Sequence, residues 1–447
     1  MTEADRMPEA DPVTEASRVL EPAAVDLLGL AARYGTPAYI YDLDVVAARV
    51  AALWAALPAG WDLAYALKAN PAPPVLERLA AAGLGADVAS LGELRAALAA
   101  GFSSARIVVT GPGKRDVELE AAVEVAVRAV TVESAGELAR LERIAAAADR
   151  RVPILLRLAL GRVVAGGPGQ FGMDADDLRA AARHAAASPR FELLGVHAFG
   201  ATNVRQAELL AEHAAATLAF AREVMAEAAL PLRLVDVGGG LGIPYAAGAA
   251  PLDLERLGRL LADLAAGWAA PDLAGTTILL EPGRFLTGPA GLYLTRVLDT
   301  KTVAGVDWAI VDGGIHHLLA PALLGRPHRL ELVRSGPTGT PEPAPARQRA
   351  GSARTPARVR VAGPLCTGLD VLGELPVGAR PTAGDLVAVR DAGAYGFSES
   401  MPLFLSHPTP AEVVLEAGRV RLSRASREPK AAARLRRLGR PGRAGPR

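Results

Sequence analysis

Residues 61–90 read WDLAYALKANPAPPVLERLAAAGLGADVAS, in which two apolar runs flank a segment rich in alanine and leucine. Leu63–Leu67 is a short, continuous apolar run typical of a buried strand. Pro74–Ala82 has the spacing of an amphipathic helix, and Ala86–Ala89 begins a second strand. Because continuous apolar runs separated by helices indicate buried parallel strands, this segment predicts one βαβ unit.

The same alternation continues as far as Leu280. Six more apolar runs follow, at Arg106–Thr110, Ala129–Val132, Ile154–Leu158, Leu193–Ala198, Leu234–Val237 and Thr277–Leu280. Helical segments between them include Leu91–Ala100, Ala135–Ala147 and Asp174–Ala187. Eight strand–helix units predict a (β/α)8 barrel, a fold that typically takes about 250 residues. A doubly wound sheet has the same alternation and is the alternative at this point.

Beyond Gly288 the pattern changes to strands with few helices between them. The runs are Leu292–Leu298, Trp308–Val311, Arg358–Val361, Leu386–Arg390, Glu412–Leu415 and Arg419–Leu422, and they predict a mostly antiparallel β domain. The predicted organisation is a disordered N-terminal segment (1–24), a barrel (25–288), a C-terminal β domain (289–423) with a disordered insertion (335–358), and a basic disordered tail (424–447).

Composition excludes several classes of protein. The 447 residues carry a net charge of +1, and no segment offers the roughly 18 consecutive apolar residues of a membrane span. The acidic N-terminus lacks a secretory signal pattern, so we expect a cytoplasmic protein. The single cysteine excludes a disulfide framework and a multi-cysteine metal site, and we expect no metal. The tail carries a charge of +8, but its composition is typical of a solvated end, so we predict no nucleic-acid partner.

The sequence has four lysines, and only lysine can form an imine with an aldehyde cofactor. Catalytic groups of a barrel lie at the C-terminal ends of its strands. Lys68 ends the first strand, in Tyr-Ala-Leu-Lys-Ala-Asn-Pro, where burial would free its amine for covalent chemistry. Lys114 lies in a polar glycine loop, and we expect it to be solvated. Lys301 and Lys430 lie on a predicted turn and in the tail.

Other strand ends bring further chemistry to the same face. Asp87 lies in the second run, Arg157 in the fifth and His197 in the sixth. A flat imidazole suits stacking on a planar ring, although a histidine taken alone is more often part of a core. The seventh run ends in Gly238–Gly240, whose amides can bind an anion, and a tight turn explains these glycines equally well.

Two further motifs carry polar groups. Glu281-Pro-Gly-Arg284 follows the eighth run. A carboxylate facing a pyridine nitrogen keeps that nitrogen protonated, and an arginine suits a phosphate, with a structural ion pair as the alternative. In the second domain, Gly363-Pro-Leu-Cys366-Thr-Gly-Leu-Asp370 contains the single cysteine, and Tyr395 lies among glycines. For both, a structural role and a role in binding stay open.

Together these motifs resemble the fold-type III pyridoxal-phosphate decarboxylases, the family of diaminopimelate, ornithine and arginine decarboxylases. The resemblance runs from about Gly35 to Leu422, and its separate motifs occur in the family's order. It implies an α/β fold made of an alanine-racemase-like (β/α)8 TIM barrel and a C-terminal antiparallel β domain. It also implies pyridoxal 5'-phosphate as cofactor and a homodimer with shared active sites.

The resemblance implies roles for the residues that match its motifs. Lys68 would be the Schiff-base lysine, His197 would stack on the cofactor ring and Glu281 would pair with the ring nitrogen. The phosphate would be bound by Gly239, Gly240, Gly283, Arg284 and Tyr395, and the pocket would be lined by Asp87 and Arg157. Cys366 would come from the partner subunit and donate the proton that replaces carbon dioxide, with Thr367 and Asp370 near the substrate.

Two positions depart from the family pattern. Gly200 stands where the family often has a serine that contacts the phosphate, and Thr202 is a candidate substitute. Thr367 follows the cysteine, where diaminopimelate and ornithine decarboxylases place an acid for the distal amine of the substrate. Because truncating one half of a buried charge pair costs about 2–5 kcal/mol, a basic diamino substrate is disfavoured.

Three motifs resemble a subgroup found in secondary metabolism and exopolysaccharide clusters, namely Cys366-Thr-x-Leu-Asp, Asp312-Gly-Gly-Ile-His-His and Phe404-Leu-Ser-His-Pro. That subgroup includes a decarboxylase of carrier-protein-tethered glutamate. We therefore expect decarboxylation of an α-amino acid, either free or bound to an aminoacyl carrier protein. The alternatives are a diaminopimelate decarboxylase, a racemase on the same fold, which the Glu-Pro-Gly-Arg motif disfavours, and a non-catalytic cofactor-binding regulator.

Overall fold

A computed structural model describes residues 18–160, 169–268, 273, 275–325, 328–335, 341–343 and 358–428. The strands are β1 (Ala38–Asp42), β2 (Trp61–Ala66), β3 (Gly85–Val88), β4 (Ile107–Val109), β5 (Ala129–Val132), β6 (Val152–Leu158), β7 (Phe191–Ala198), β8 (Leu234–Asp236), β9 (Thr277–Leu280), β10 (Gly291–Val303), β11 (Val306–Val311), β12 (Leu330–Ser335), β13 (Pro341–Pro343), β14 (Val359–Ala362), β15 (Val371–Leu375), β16 (Leu386–Val389), β17 (Ala411–Glu416) and β18 (Arg419–Arg424). The α-helices are α1 (Leu27–Tyr34), α2 (Leu43–Ala56), α3 (Pro73–Ala81), α4 (Leu91–Ala99), α5 (Asp116–Glu124), α6 (Ala135–Ala147), α7 (Ala175–Ala187), α8 (Ala207–Glu227), α9 (Leu254–Gly267), α10 (Arg284–Thr287) and α11 (Ala320–Leu323). Among these described residues, no helix combines the length and the apolar character that a membrane crossing requires.

Strands β2 to β9 are parallel and close into a barrel, in which β9 pairs back to β2. This confirms the predicted (β/α)8 barrel and excludes the doubly wound sheet, which is open at two edges. Buried residues from six of the strands form one cluster: Ala64, Val108, Ala129, Leu155, Leu234 and Leu279. This packing fixes the strands whose C-terminal ends carry the predicted site.

Contacts divide the chain into two compact units. One contains the barrel and comprises Val45–Pro244 and Ala249–Thr287, and the other comprises Val19–Asp44, Tyr245–Gly248 and the chain from Gly288 onward. The barrel therefore does not begin at residue 25 as predicted, because β1 pairs with β10 and β17 of the second unit. Ala38–Tyr41 is as fully buried as a barrel strand, so its apolar character does not reveal which sheet it joins.

The second unit is built on one sheet of ten strands. Seven of them follow the order β13-β12-β16-β10-β1-β17-β18, while β11, β14 and β15 extend from β10. Most pairs are antiparallel, as predicted, but β1 with β17 and β11 with β14 are parallel. The sequence prediction missed β1, β12 and β15, together with the short strand β13.

Three segments predicted to be disordered are partly structured. Residues 18–24 include the buried Leu20, and Glu21 forms an ion pair with Arg390. Within the predicted insertion, β13 pairs with β12. Arg424, the first residue of the predicted tail, lies in β18 and its Nε contacts Glu412 at 3.0 Å. The rest of these predictions, on residues 1–17, 336–340, 344–357 and 429–447, lies outside the described residues.

Candidate active site

Lys68 follows β2 and lies beside the carboxylate of Asp87 in β3. Its Nζ is 2.7 Å from Asp87 Oδ2, and the hydroxyl of Thr110 donates a hydrogen bond to Asp87 Oδ1. The side chain of Lys68 is 48% exposed whereas that of Asp87 is 1% exposed. The expected burial of Lys68 is therefore not observed. Its amine lies at an accessible end of the barrel, where Asp87 orients it.

Lys114, expected to be solvated, is buried. Its Nζ donates hydrogen bonds to the carbonyl oxygens of Gly111 (2.7 Å) and Thr131 (2.6 Å) and to Glu137 Oε1 (2.7 Å). The turn at Gly111 has a φ of 108°, which favours glycine, and it folds the loop after β4 inward. The polar composition of this loop therefore did not indicate that Lys114 is buried and paired with three acceptors.

Glu133, which sequence reasoning missed, links β5 to Arg157 in β6. Its Oε1 is 2.6 Å from Arg157 Nη1, and both its oxygens accept backbone N–H groups, from Gly111 and Gly172 at 3.0 Å. Glu133 directly follows the run Ala129–Val132, so the strand-end rule applied to Arg157 and His197 could have found it. We call Lys114, Glu133, Glu137 and Arg157 the β4–β6 network.

His197, Asp236 and Glu281 lie on or just after β7, β8 and β9, and we call them the β7–β9 cluster. One nitrogen or oxygen atom from each lies within 4.8 Å of the others, and all three side chains are buried. His197 Nε2 is 3.7 Å from Glu281 Oε2. Among the described residues, neither ring nitrogen of His197, nor Asp236 Oδ2, nor Glu281 Oε1 has a hydrogen-bond partner. Asp236 was not predicted, although it lies in the seventh apolar run.

The predicted glycines are required by close packing of the backbone. A Cβ on Gly239 would lie 2.1 Å from the carbonyl oxygen of Glu281. Gly240 has a φ of 96°, and a Cβ there would lie 2.3 Å from the carbonyl oxygen of Ala201. A Cβ on Gly283 would lie 2.9 Å from that of Ala69. These contacts explain the glycines without a ligand, and the contact at Gly239 holds the turn after β8 against Glu281, which follows β9.

The surroundings of Gly200 and Arg284 explain why a glycine stands where the family often has a serine that contacts the phosphate. A Cβ on Gly200 would lie 2.7 Å from Nδ1 of His213, so the imidazole of His213 fills the space that a serine would need. His213 Nε2 lies 3.0 Å from the carbonyl oxygen of Val237. Arg284 is buried and its Nη2 donates to the hydroxyl of Thr202 at 3.5 Å, which places the candidate substitute beside the predicted phosphate ligand.

Four predicted residues belong to the second unit. Cys366 is exposed on loop 363–370. Asp370 at the end of this loop is buried, and its two oxygens accept hydrogen bonds from the backbone amides of Ile315 and Leu365, both at 2.8 Å. Thr367 Oγ1 accepts a 3.3 Å hydrogen bond from Leu369 N. The geometry thus gives Asp370 a role in holding the loop that carries Cys366.

Tyr395 and a histidine pair complete this unit's polar features. Tyr395 has a φ of 53°, an uncommon backbone conformation for a residue with a side chain. His316 and His317 have ring centroids 3.8 Å apart. Burial lowers the pKa of His316 to about 4 and that of His317 to about 3. His317 is hydrogen-bonded to the hydroxyl of Tyr293, whereas the ring nitrogens of His316 have no partner among the described residues.

A family model for the pyridoxal binding domain of pyridoxal-dependent decarboxylases matches residues 43–288, which contain the whole barrel. The chain belongs to the pyridoxal-dependent decarboxylases. The match covers the ends of β2, β7 and β9, and therefore Lys68, His197 and Glu281. Membership confirms the predicted family, the enzyme class and pyridoxal phosphate as the cofactor.

Named relatives of this decarboxylase extend the match to the second unit. It is 33% identical over 407 residues to an L-glutamyl-[BtrI acyl-carrier protein] decarboxylase of Niallia circulans, an alignment that covers 89% of this chain and 93% of that protein. It is 32% identical over 392 residues to a 2-[(L-alanin-3-ylcarbamoyl)methyl]-2-hydroxybutanedioate decarboxylase of Staphylococcus aureus, with 84% and 93% covered. Its structure is similar to the crystal structure of a Helicobacter pylori diaminopimelate decarboxylase complexed with L-lysine, with a TM-score of 0.79 at 26% identity, covering 93% of this chain and all of that one. These relatives confirm that the chain is an amino-acid decarboxylase.

The residues of this decarboxylase fit pyridoxal phosphate on the evidence of its own structure. Both ring nitrogens of the buried His197 have no hydrogen-bond partner among the described residues, and the buried carboxylate of Glu281 lies 3.7 Å from this imidazole. Such groups are rare unless a ligand or water completes them. A primary amine, that of Lys68, lies at the same end of the barrel and is accessible to an aldehyde.

Proposed function

We propose that this decarboxylase acts on an α-amino acid without a distal ammonium group, held on a carrier protein. The observation that carries the proposal is the chemistry of loop 363–370, every residue of which is described. Its one carboxylate, Asp370, is engaged by two backbone amides, and the residue after Cys366 is Thr367. The loop therefore presents a hydroxyl where the family pattern places an acid for the distal amine.

The substrate class is supported by one relative. The Niallia circulans enzyme is named for a glutamyl group on an acyl-carrier protein, and a glutamyl group has no second ammonium group. We extend this class of substrate to the present enzyme, and with it a place in a biosynthetic route of secondary metabolism in the cytoplasm. A free diamino acid is the second candidate, because a diaminopimelate decarboxylase of Pseudomonas aeruginosa is 34% identical over 386 residues.

We assign the barrel residues as follows. Lys68 holds the cofactor covalently through Nζ, and Asp87 orients that amine. When bound, pyridoxal phosphate supplies an electron sink for the electrons left at the substrate Cα after carbon dioxide departs. Glu281 would keep a proton on the ring nitrogen of the cofactor, and His197 would stack on the ring. In the barrel, the phosphate would be bound by Gly239, Gly240, Gly283 and Arg284. Tyr395 of the second unit stays a candidate phosphate ligand.

The last step is a proton transfer to the substrate Cα, and we assign it to the thiol of Cys366. A thiol is a competent acid–base group if it is accessible, and Cys366 is exposed. We propose a homodimer in which each Cys366 serves the partner subunit. If Lys68→Ala and Cys366→Ala subunits are mixed, each mixed dimer then has one intact site. We expect activity that neither variant has alone, and its absence would remove the shared-site assignment.

The substrate proposal is tested by release of labelled carbon dioxide from carboxyl-labelled substrates. The set comprises glutamate as a carrier-protein thioester, free glutamate, free lysine, free ornithine and free diaminopimelate. We expect release from the thioester and little from the free diamino acids. Strong release from free diaminopimelate would overturn the interpretation of Thr367. Exchange of the α-proton without carbon dioxide would indicate racemisation.

A further inference from the structure

Asp236 is a buried acid to which the assigned chemistry gives no role. It ends β8, its relative exposure is 0%, and it pairs in register with His197 of β7. Its Oδ1 accepts a 2.9 Å hydrogen bond from the backbone amide of Gly238, the first residue of the glycine turn. One of its carboxylate oxygens lies within 4.8 Å of a ligand atom of His197 and of one of Glu281, the second carboxylate of the cluster.

The two carboxyl groups of this cluster lack a hydrogen-bond donor unless one of them is protonated. Asp236 Oδ2 and Glu281 Oε1 are both buried, and neither has a partner among the described residues. Two buried carboxylates this close repel each other strongly if both are charged, and such pairs commonly share a single proton. One proton on one carboxyl group removes the repulsion and allows a hydrogen bond between the side chains of Asp236 and Glu281.

The surroundings favour Asp236 as the protonated partner. Burial, and then the charge of Glu281, raise the pKa of Asp236 well above its usual value. Burial also raises the pKa of Glu281, but the neighbouring His197 and the charge of Lys68 outweigh it, so the pKa of Glu281 falls. Asp87 also opposes the charged form of Asp236, and the interaction that favours this form is the hydrogen bond from the backbone amide of Gly238.

We propose that Asp236 is a positioning residue for Glu281. It is neutral in the folded enzyme and donates a hydrogen bond from Oδ2 to the Glu281 carboxylate. Glu281 is thereby fixed in one orientation and kept charged toward the ring nitrogen of the cofactor. The consequence for the ring rests on the proposed role of Glu281, whereas the shared proton is a property of the cofactor-free protein.

The proton is detectable directly by infrared spectroscopy of the cofactor-free protein at neutral pH. A protonated carboxyl group absorbs in a region distinct from that of a carboxylate, so we expect a carboxylic-acid band in the wild type that Asp236→Asn removes. Asp62→Asn is the matched control, because the Asp62 carboxylate is paired with Arg106 and Arg128 and contributes no such band. A wild-type spectrum in which Asp236→Asn changes no carboxylic-acid band overturns the proposal.

The positioning role is tested by the affinity for pyridoxal phosphate. Asn keeps both the acceptor for Gly238 and a donor toward Glu281, so Asp236→Asn should bind the cofactor within a fewfold of wild type. Asp236→Ala has no donor, and the loss of one hydrogen bond to a charged group should weaken binding about 10- to 100-fold. Equal losses in the two variants would contradict the proposal, because they would show that the negative charge of Asp236 matters, and both variants remove that charge.

The pH profile separates positioning from a purely structural role. In Asp236→Ala, Glu281 loses the hydrogen bond that helps lower its pKa, so cofactor affinity should decline at a higher pH on the acid side than in wild type. A role confined to holding Gly238 would leave that pH unchanged. None of these readouts depends on the substrate, so an incorrect substrate assignment and an incorrect assignment of Asp236 are distinguishable.

Discussion

The β4–β6 network and the β7–β9 cluster lie around one barrel, and each buries two carboxylates. In the network, Lys114 Nζ contacts three acceptors, and both oxygens of Glu133 accept hydrogen bonds. In the cluster, both ring nitrogens of His197 are buried and no described residue satisfies them. A buried polar group without a partner is costly, so the cluster is stable only if something else completes it. The comparison identifies the network as structural and the cluster as the site prepared for a ligand.

The largest effect on activity is expected from substitution of Lys68, whose amine lies at the same end of the barrel as the cluster. Lys68→Ala should lower decarboxylation by about 10²- to 10⁴-fold, the contribution typical of one positioned acid–base group, and abolish the yellow absorbance of the bound cofactor. The fold should be nearly unaffected, since half-exposed ion pairs contribute about 1 kcal/mol or less. Lys301→Ala is the control, because Lys301 is exposed in β10. Normal absorbance and turnover in Lys68→Ala would refute the assignment.

Substitutions in the β4–β6 network should instead lower the free energy of unfolding. Lys114→Met leaves the buried Glu137 without its cation, and breaking a buried pair in this way costs about 3–5 kcal/mol. We expect a lower midpoint in urea denaturation. The double variant Lys114→Met/Glu137→Leu should recover part of the loss, because it removes the unpaired carboxylate. Recovery should be incomplete, because the carbonyl oxygens of Gly111 and Thr131 still lack their donor. An unchanged midpoint in the single variant would show that the network is not structural.

The pH dependence of unfolding should have opposite signs for Glu281 of the cluster and Glu137 of the network. Nearby His197 and Lys68 outweigh burial and lower the pKa of Glu281 to about 2, so its contribution to stability is present above the unfolded value of 4.5 and lost as the pH falls through that window. Burial raises the pKa of Glu137 despite Lys114, so its contribution is present below 4.5 and lost as the pH rises through the folded value.

Comparison of wild type with Glu281→Gln and with Glu137→Gln isolates the two contributions. The unfolding free energy of the cofactor-free protein is measured by urea denaturation at several pH values in the acid range. The difference between wild type and Glu281→Gln should grow with rising pH, and the difference between wild type and Glu137→Gln should shrink. Slopes of the same sign would contradict the opposite pKa shifts assigned to these two residues.

The barrel and much of its site were predictable because strand ends are visible in the sequence. Lys68, Asp87, Arg157, His197 and Glu281 each lie in or directly after an apolar run, and the closed barrel brings these ends to one face. The same rule points to Glu133 and Asp236. Each was missed because an acid beside an apolar run has no distinctive motif.

Other features depend on contacts that local sequence does not specify. The burial of Lys114 depends on its loop turning inward at Gly111 to meet a carbonyl oxygen of β5. The membership of β1 in the second unit depends on pairing with β10 and β17, which are distant in the chain. The role of Asp370 depends on the amide of Ile315, in a loop far along the sequence. Pairings of this kind are set by tertiary structure, so a local pattern cannot reveal them.

The smallest effect is expected at the edge of the network, where Ser134 caps α6. Its hydroxyl accepts a 3.1 Å hydrogen bond from the backbone amide of Glu137, the residue whose side chain holds Lys114. Ser134→Ala should cost about 1 kcal/mol, as is typical for the loss of an N-cap, and should leave cofactor affinity and turnover unchanged. Ser90→Ala, which removes the equivalent cap of α4, is the matched control. If Ser134→Ala instead reduced turnover while Ser90→Ala did not, the network would be coupled to the chemistry, and the division between a structural and a functional side would have to be withdrawn.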